Sequence, residues 1–232
     1  MTSPDRYFRE LWEGKRSGWT DKLVVALLIP FALVYGVIVR MRAFLYVRGI
    51  LSSFRLDVPV ISVGNLSVGG TGKTPMSILV ARLLIARGKR VVVLSRGYGG
   101  AGGAAVRLVS DGFRILLPAS EAGDEPVLLA HSVPGLIVLT GSDRYRAGLE
   151  ALKRFNPDIV LLDDGYQHLR LQRDLNILLL NAAKPFGNGW TLPAGLLREP
   201  CSALRRADLI VYTRADRITE YPDVADIPVC YS

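Results

Sequence analysis

The sequence predicts an α/β fold: a doubly wound, mostly parallel sheet preceded by an N-terminal membrane-associated helix. Three observations carry that prediction. Apolar runs of strand length alternate with helical segments, at residues 58–63, 91–94, 135–139, 158–162, 175–180 and 209–212. A glycine-rich stretch stands between the first run and a helical segment. Ahead of both lies an uncharged run long enough to meet a bilayer.

The glycine-rich stretch is Ser67-Val68-Gly69-Gly70-Thr71-Gly72-Lys73-Thr74. Strand, glycine-rich loop and helix is the context of a P-loop, so the fold expected is P-loop NTPase-like. Backbone N–H groups of such a loop surround phosphate oxygens, and the helix beginning near Pro75 adds its positive dipole end. Lys73 would reach the β- and γ-phosphates, and the Thr74 hydroxyl would ligate Mg²⁺. The strict pattern has glycine where this chain has Ser67, and Gly69 and Gly70 are expected to supply the flexibility instead. The competing reading is a glycine-rich turn that binds nothing.

Half of the 232 residues are apolar, enough for a sizeable core. A formal charge of +8 points to anionic partners. The basic residues form no long run interleaved with aromatics, which argues for nucleotide and membrane rather than nucleic acid. Cys201 and Cys230 have no metal or redox spacing and read as buried small hydrophobes of a reduced, cytosol-facing protein.

Residues 23–39 run seventeen positions without a charge, closed by Arg40 and Arg42 and interrupted by Pro30 and Gly36. Five Lys or Arg residues precede the run and three follow within nine, so no positive-inside asymmetry is evident. A monotopic or half-inserted anchor with Trp19 at the interface fits as well as a span. A buried core helix is the alternative. Phe44 to Leu51 would continue it as a second, amphipathic helix. The organisation expected is a membrane-associated segment at 1–55 and a P-loop body at 56–232.

Along that body, Arg96 and Tyr98 follow the second strand, at the sheet edge where ligands of open parallel sheets bind. Residues 106–109 and 113–117 read as a β-hairpin. Gly123-Asp124-Glu125-Pro126 opens a helix, and Ser142-Asp143-Arg144 opens another. The strand at 158–162 ends in Asp163-Asp164-Gly165, the form of a Walker B motif whose carboxylates hold Mg²⁺. Tyr166-Gln167-His168 extends it. Residues 184–200, rich in Gly and Pro, form a long structured loop, and 227–231 could begin a further strand.

Taken together these motifs resemble the tetraacyldisaccharide 4′-kinase (lipid A 4′-kinase) family. The matching pieces are Val63-Gly64-Asn65 with the loop through Pro75, Ser95-Arg96-Gly97-Tyr98-Gly99, Gly123-Asp124-Glu125-Pro126, Asp143-Arg144, Leu162 to His168, and Leu192 to Gly195 with Leu197-Arg198-Glu199-Pro200. The resemblance implies a kinase at the cytosolic face of the inner membrane of a Gram-negative-type bacterium. It would use ATP and Mg²⁺ to phosphorylate the 4′-hydroxyl of an acylated glucosamine disaccharide 1-phosphate, with no nucleic acid or protein partner. It also removes the anomaly at Ser67, since the family's loop does not keep the first glycine.

By the same resemblance Asp124 is the base that takes the sugar hydroxyl's proton, and Lys73 and Arg144 neutralise the transferring phosphate. Thr74, Glu125, Asp163 and Asp164 surround the metal, and Arg96, Tyr98, Gln167 and His168 are further site positions. Each has a plainer reading: Asp124 a helix N-cap, Asp163 or Asp164 a turn residue, Arg144 solvating a helix start, His168 structural. Family members also continue into a region with a Phe-Pro-Asp-His-type motif, whose His supports the catalytic Asp. This chain's histidines are His131 and His168 alone. Two other functions stay open: a membrane-recruited P-loop ATPase or switch, and an inactive, truncated member of the kinase family.

Overall fold

Pro59 decides where the first strand begins. Having no N–H, it cannot donate to a ladder, although its carbonyl accepts from Val160 N at 3.0 Å, and the next amide, Val60 N, donates to Asp174 Oδ2 at 2.8 Å. Strand β1 is therefore Val60–Asn65, two residues later than the apolar run suggests. The computed structural model describes residues 4–16, 18–97, 105–215 and 227–232. The elements in order are α1 (Pro4–Trp12), α2 (Trp19–Val47), β1, α3 (Lys73–Ala86), β2 (Val91–Ser95), β3 (Arg107–Asp111), α4 (Ala119–Ala122), α5 (Asp124–Ser132), β4 (Ile137–Thr140), α6 (Arg144–Phe155), β5 (Ile159–Asp163), β6 (Leu175–Asn181), β7 (Leu209–Thr213) and β8 (Val229–Tyr231). A 3₁₀ turn at Cys201–Arg206 precedes β7. The strand order is β3-β4-β2-β5-β1-β6-β7-β8.

The chain divides into two compact units. One comprises residues 51–64 and 72–177. Its strands β1, β5, β2 and β4 pair in parallel, and only β3 runs antiparallel, at the edge. Val92, Leu94, Leu139, Val160 and Leu162 are buried among α6 residues Ala147 and Ala151 and against Leu56 and Leu171. Strands covered on both faces read as unbroken apolar runs, which is why these were legible. The expected hairpin is reduced: β3 is a strand, but its second arm is a single bridge from Ser110 to Ile115. Asp111 Oδ1 accepts from the N–H groups of Phe113 and Arg114, so the chain closes as a side-chain-capped turn instead of a second strand.

The other unit comprises residues 1–50, 65–71 and 178–232. Here α2 is one continuous helix of 29 residues, Pro30 included. No second amphipathic helix follows, and residues 44–47 simply extend α2. Its buried positions are Asp21, Ala32 and Gly36. Ala32 O accepts from Thr191 Oγ1 at 2.8 Å, and Tyr35 donates to Arg198 O at 3.0 Å, which fixes that face on the loop preceding the 3₁₀ turn. Trp19, Leu27, Phe31, Val34 and Ile38 are exposed. The core-helix alternative therefore does not hold for α2. It is long and apolar enough to cross a membrane, with a mean hydropathy of 2.5 in its most apolar window. At its N-terminus Asp21 accepts from Tyr7 Oη and Gly18 N and faces Arg16. Cys201 is half-buried and Cys230 exposed. The expectation of two buried thiols fails for Cys230, because β8 is exposed along its length.

Candidate active site

The phosphate loop takes its shape from contacts rather than from glycine alone. Ser67 pairs with Leu197 in an antiparallel bridge, flanked by Val68 N donating to Leu196 O at 2.7 Å and Arg198 N donating to Leu66 O at 2.6 Å. Paired in this way, Ser67 sits in ordinary backbone territory and needs no glycine. The positive φ values fall at Gly69 (124°) and Gly72 (83°). Gly70, expected to share that role, is not among the positive-φ positions. Two buried side chains anchor Thr71: Asn65 Nδ2 donates to its Oγ1 at 2.7 Å, and Thr213 Oγ1 donates to its carbonyl at 3.0 Å. A cavity of about 460 Å³ opens against the backbone of Ser67 to Thr71, with Lys184 and Arg214 on its wall.

Helix α3 starts at Lys73, directly after Gly72 in its left-handed conformation. Lys73 Nζ lies 3.8 Å from Asp164 Oδ1. Register places Asp163 beside Val63, at the end of the strand that feeds the loop. Asp163 is buried, and burial pushes its carboxyl up to about 6. A hydrogen bond from Ser77 opposes that shift, Glu125 and Asp164 add to it, and Lys73 works against it. Asp164 has φ 54°, the left-handed bend that a short polar residue tolerates. The following Gly165 has no room for a Cβ, which would stand 2.7 Å from Ser62 Oγ. Gly64 is equally constrained, by the fully buried Tyr166 at 2.7 Å.

The structure thus brings Lys73, Asp163, Asp164 and Glu125 into one electrostatic neighbourhood. Asp124 and Glu125 are the first residues of α5 and exposed. The N-cap is Gly123, so the N-cap alternative for Asp124 does not hold. Arg144, by contrast, is buried and donates from Nη1 to Gly141 O and Ser142 O, close to its own helix start. Arg96 is exposed at the end of β2, and Tyr98 lies outside the described residues. Gln167 and His168 occupy the turn after β5, where His168 O accepts from Arg173.

Three contributors escaped the sequence reading. Ser77 donates to Asp163 Oδ1 at 2.8 Å. Its spacing of three from Thr74 on one helix was the available signal. Arg170 pairs with Asp143 at 2.9 Å, and Asp143 also caps α6 through the amides of Tyr145 and Arg146. Thr213, at the end of β7, gave no local signal for its contact with the loop.

Magnesium typically takes one or two carboxylates and completes its shell with phosphate and water. Thr74, Asp163 and the carboxylates near it fit that donor set. Among the described residues no group of three or more His, Cys, Asp or Glu forms a cage that would hold a metal by itself. The site is that of a P-loop protein whose magnesium would be shared with a nucleotide.

Residues 24–228 match the family model for tetraacyldisaccharide-1-P 4′-kinase, and the chain belongs to that family. A relative from Pelobacter propionicus named tetraacyldisaccharide 4′-kinase is 56% identical over 225 residues, covering 97% of this chain and 62% of its own length. One of the same name from Geobacter sulfurreducens is 61% identical over 208 residues, covering 90% and 59%. A crystal structure of LpxK from Aquifex aeolicus, in complex with ATP, superposes with a TM-score of 0.81 at 42% identity, covering 89% of this chain and 64% of that one. The chain thus spans about three-fifths of the length of these relatives.

Proposed function

We propose that these residues form the nucleotide-binding and membrane-associated part of a kinase. It transfers the γ-phosphate of ATP to the 4′-hydroxyl of a tetraacylated glucosamine disaccharide 1-phosphate at the cytosolic face of the inner membrane of a Gram-negative-type bacterium. Residues 1–55 are its membrane-associated segment and 56–232 its kinase body. The observation that carries the reading is Lys73, at the start of α3, within 3.8 Å of Asp164 and beside the buried Asp163. Family membership supplies the acceptor.

Phosphoryl transfer relies on positioning and on neutralising charge over the transferred group. The loop amides hold the phosphates, and Lys73 supplies positive charge, leaving Asp164 for the γ-phosphate. Thr74 and Asp163, with Glu125 and Asp164 nearby, would hold a magnesium ion, which would offset negative charge on the phosphates. Asp124, open to solvent on the first turn of α5, accepts the proton of the sugar hydroxyl as the new P–O bond forms. Arg144 adds charge, and the family resemblance gives Arg96, Tyr98, Gln167 and His168 as further site positions. The uncharged run in α2 brings the active site to its lipid.

Binding of a fluorescent ATP analogue, with and without magnesium, tests the nucleotide half on this chain. Lys73→Ala is expected to weaken it at least tenfold with an unchanged melting temperature, and equal binding would remove the loop from the mechanism. Transfer from ATP to the tetraacyl disaccharide 1-phosphate in detergent micelles tests the acceptor. Hydrolysis that ignores the lipid would instead favour a switch ATPase.

A further inference from the structure

We propose that Ser77 is a positioning residue for the magnesium site, holding the Asp163 carboxylate in place through its hydroxyl. The inference rests on the magnesium–nucleotide reading above and adds to it a residue outside the loop and strand motifs. Ser77 is fully buried on α3, and Asp163 is 1% exposed at the end of β5. Their 2.8 Å contact is a side-chain hydrogen bond between a helix and the neighbouring strand. A serine inside a helix ordinarily returns its hydroxyl to a carbonyl four residues back. Here it bonds across to the carboxylate.

That geometry divides the two carboxylate oxygens between two tasks. Oδ1 accepts from Ser77, which leaves Oδ2 for a magnesium ion or its water. Ser77 stands three residues beyond Thr74, so one helical turn presents both the hydroxyl assigned to the metal and the hydroxyl that orients the metal's carboxylate. A carboxylate free to rotate about its terminal torsion would lose that orientation, since such torsions have broad preferences. Partners of this kind typically change metal affinity by about 10–100-fold when removed.

The test uses two pairs, Ser77 against Ser77→Ala and the isosteric Ser77→Thr against Ser77→Val, so that the hydroxyl is separated from volume. Magnesium is titrated into the 232-residue chain with a fluorescent ATP analogue. The midpoint is expected to rise about tenfold for Ser77→Ala over the parent, and likewise for Ser77→Val over Ser77→Thr. Analogue affinity in EDTA should be equal within each pair. A midpoint that tracks side-chain size, or is the same with and without the hydroxyl, overturns the proposal. So does an equal loss of affinity in EDTA. A parent that binds the analogue with no magnesium dependence overturns both this inference and the reading beneath it, whereas a magnesium-dependent parent matched by Ser77→Ala overturns this inference alone.

Discussion

The buried carboxylate of Asp163 sets the stability of the metal-free chain against its function. Unfolded, this group titrates near 3.8, and folded it titrates at about 6, chiefly because it is buried. Between those values the folded chain holds the extra proton, so the stabilisation is complete below pH 4 and lost as pH rises through 6. At neutral pH the ionised carboxylate costs about 3 kcal/mol, at 1.36 kcal/mol per pH unit. Asp163→Asn is therefore expected to raise the melting temperature in EDTA at pH 7.5, with the advantage fading by pH 4. A variant melting below the parent at pH 7.5 would show that no such cost exists. Asp124→Asn separates binding from chemistry, because Gly123 occupies the N-cap and the helix start does not depend on Asp124. In a version of the protein with measurable transfer, kcat is expected to fall by about 10²–10⁴-fold at unchanged ATP affinity. A near-normal kcat would move the base elsewhere. Most of this site was legible because its parts are contiguous: a loop, a helix start, a strand end. Ser77 and Thr213 were not, because each acts on a residue far away in sequence, and nothing local distinguishes a serine that reaches a carboxylate from one that merely packs.

At the scale of elements, strands were legible wherever both faces are covered, and their ends were set by single residues such as Pro59 and Asp174. The antiparallel edge was read less well. Its second arm has apolar residues that invite a strand, but Asp111 turns the chain too tightly for a ladder to form. Helix α2 presents the opposite case, since composition left a core helix and an anchor both open and only packing could separate them. Leu27 and Phe31 lie one turn apart, at 63% and 66% exposure, away from the face held by Thr191 and Arg198. Leu27→Asp with Phe31→Asp should thus leave folding within about 0.5 kcal/mol per site. Each aspartate costs about 2.5–3.5 kcal/mol at the centre of a membrane helix, so vesicle flotation should fall more than tenfold. Loss of solubility or cooperative melting would instead mean that α2 is covered by protein. These substitutions are cleaner than deleting residues 1–42, which would also strip the contacts to Thr191 and Arg198.

The charge of the whole molecule determines how such a helix would meet a membrane. Of the net +8, half lies in the first fifty residues, where eight Lys and Arg stand against Asp5, Glu10, Glu13 and Asp21. Arg16 and Lys22 sit at one end of α2, and Arg40, Arg42 and Arg48 at the other. Basic residues near an anionic surface contribute about 1 kcal/mol each. That attraction is screened, because the Debye length falls from about 10 Å at 0.1 M salt to about 3 Å at 1 M. Burial of the apolar side chains of α2 carries no such dependence. Two terms of different salt sensitivity predict two vesicle behaviours. At low salt the chain should float more strongly with vesicles of about one-third anionic lipid than with neutral ones, by roughly tenfold or more. Raising salt toward 1 M should erase that difference while leaving the binding common to both compositions. Complete release by salt would reduce the attachment to surface charge and leave the exposed apolar face of α2 without a membrane role. Equal binding to both vesicles at low salt would instead show that the basic residues flanking α2 do not face the lipid.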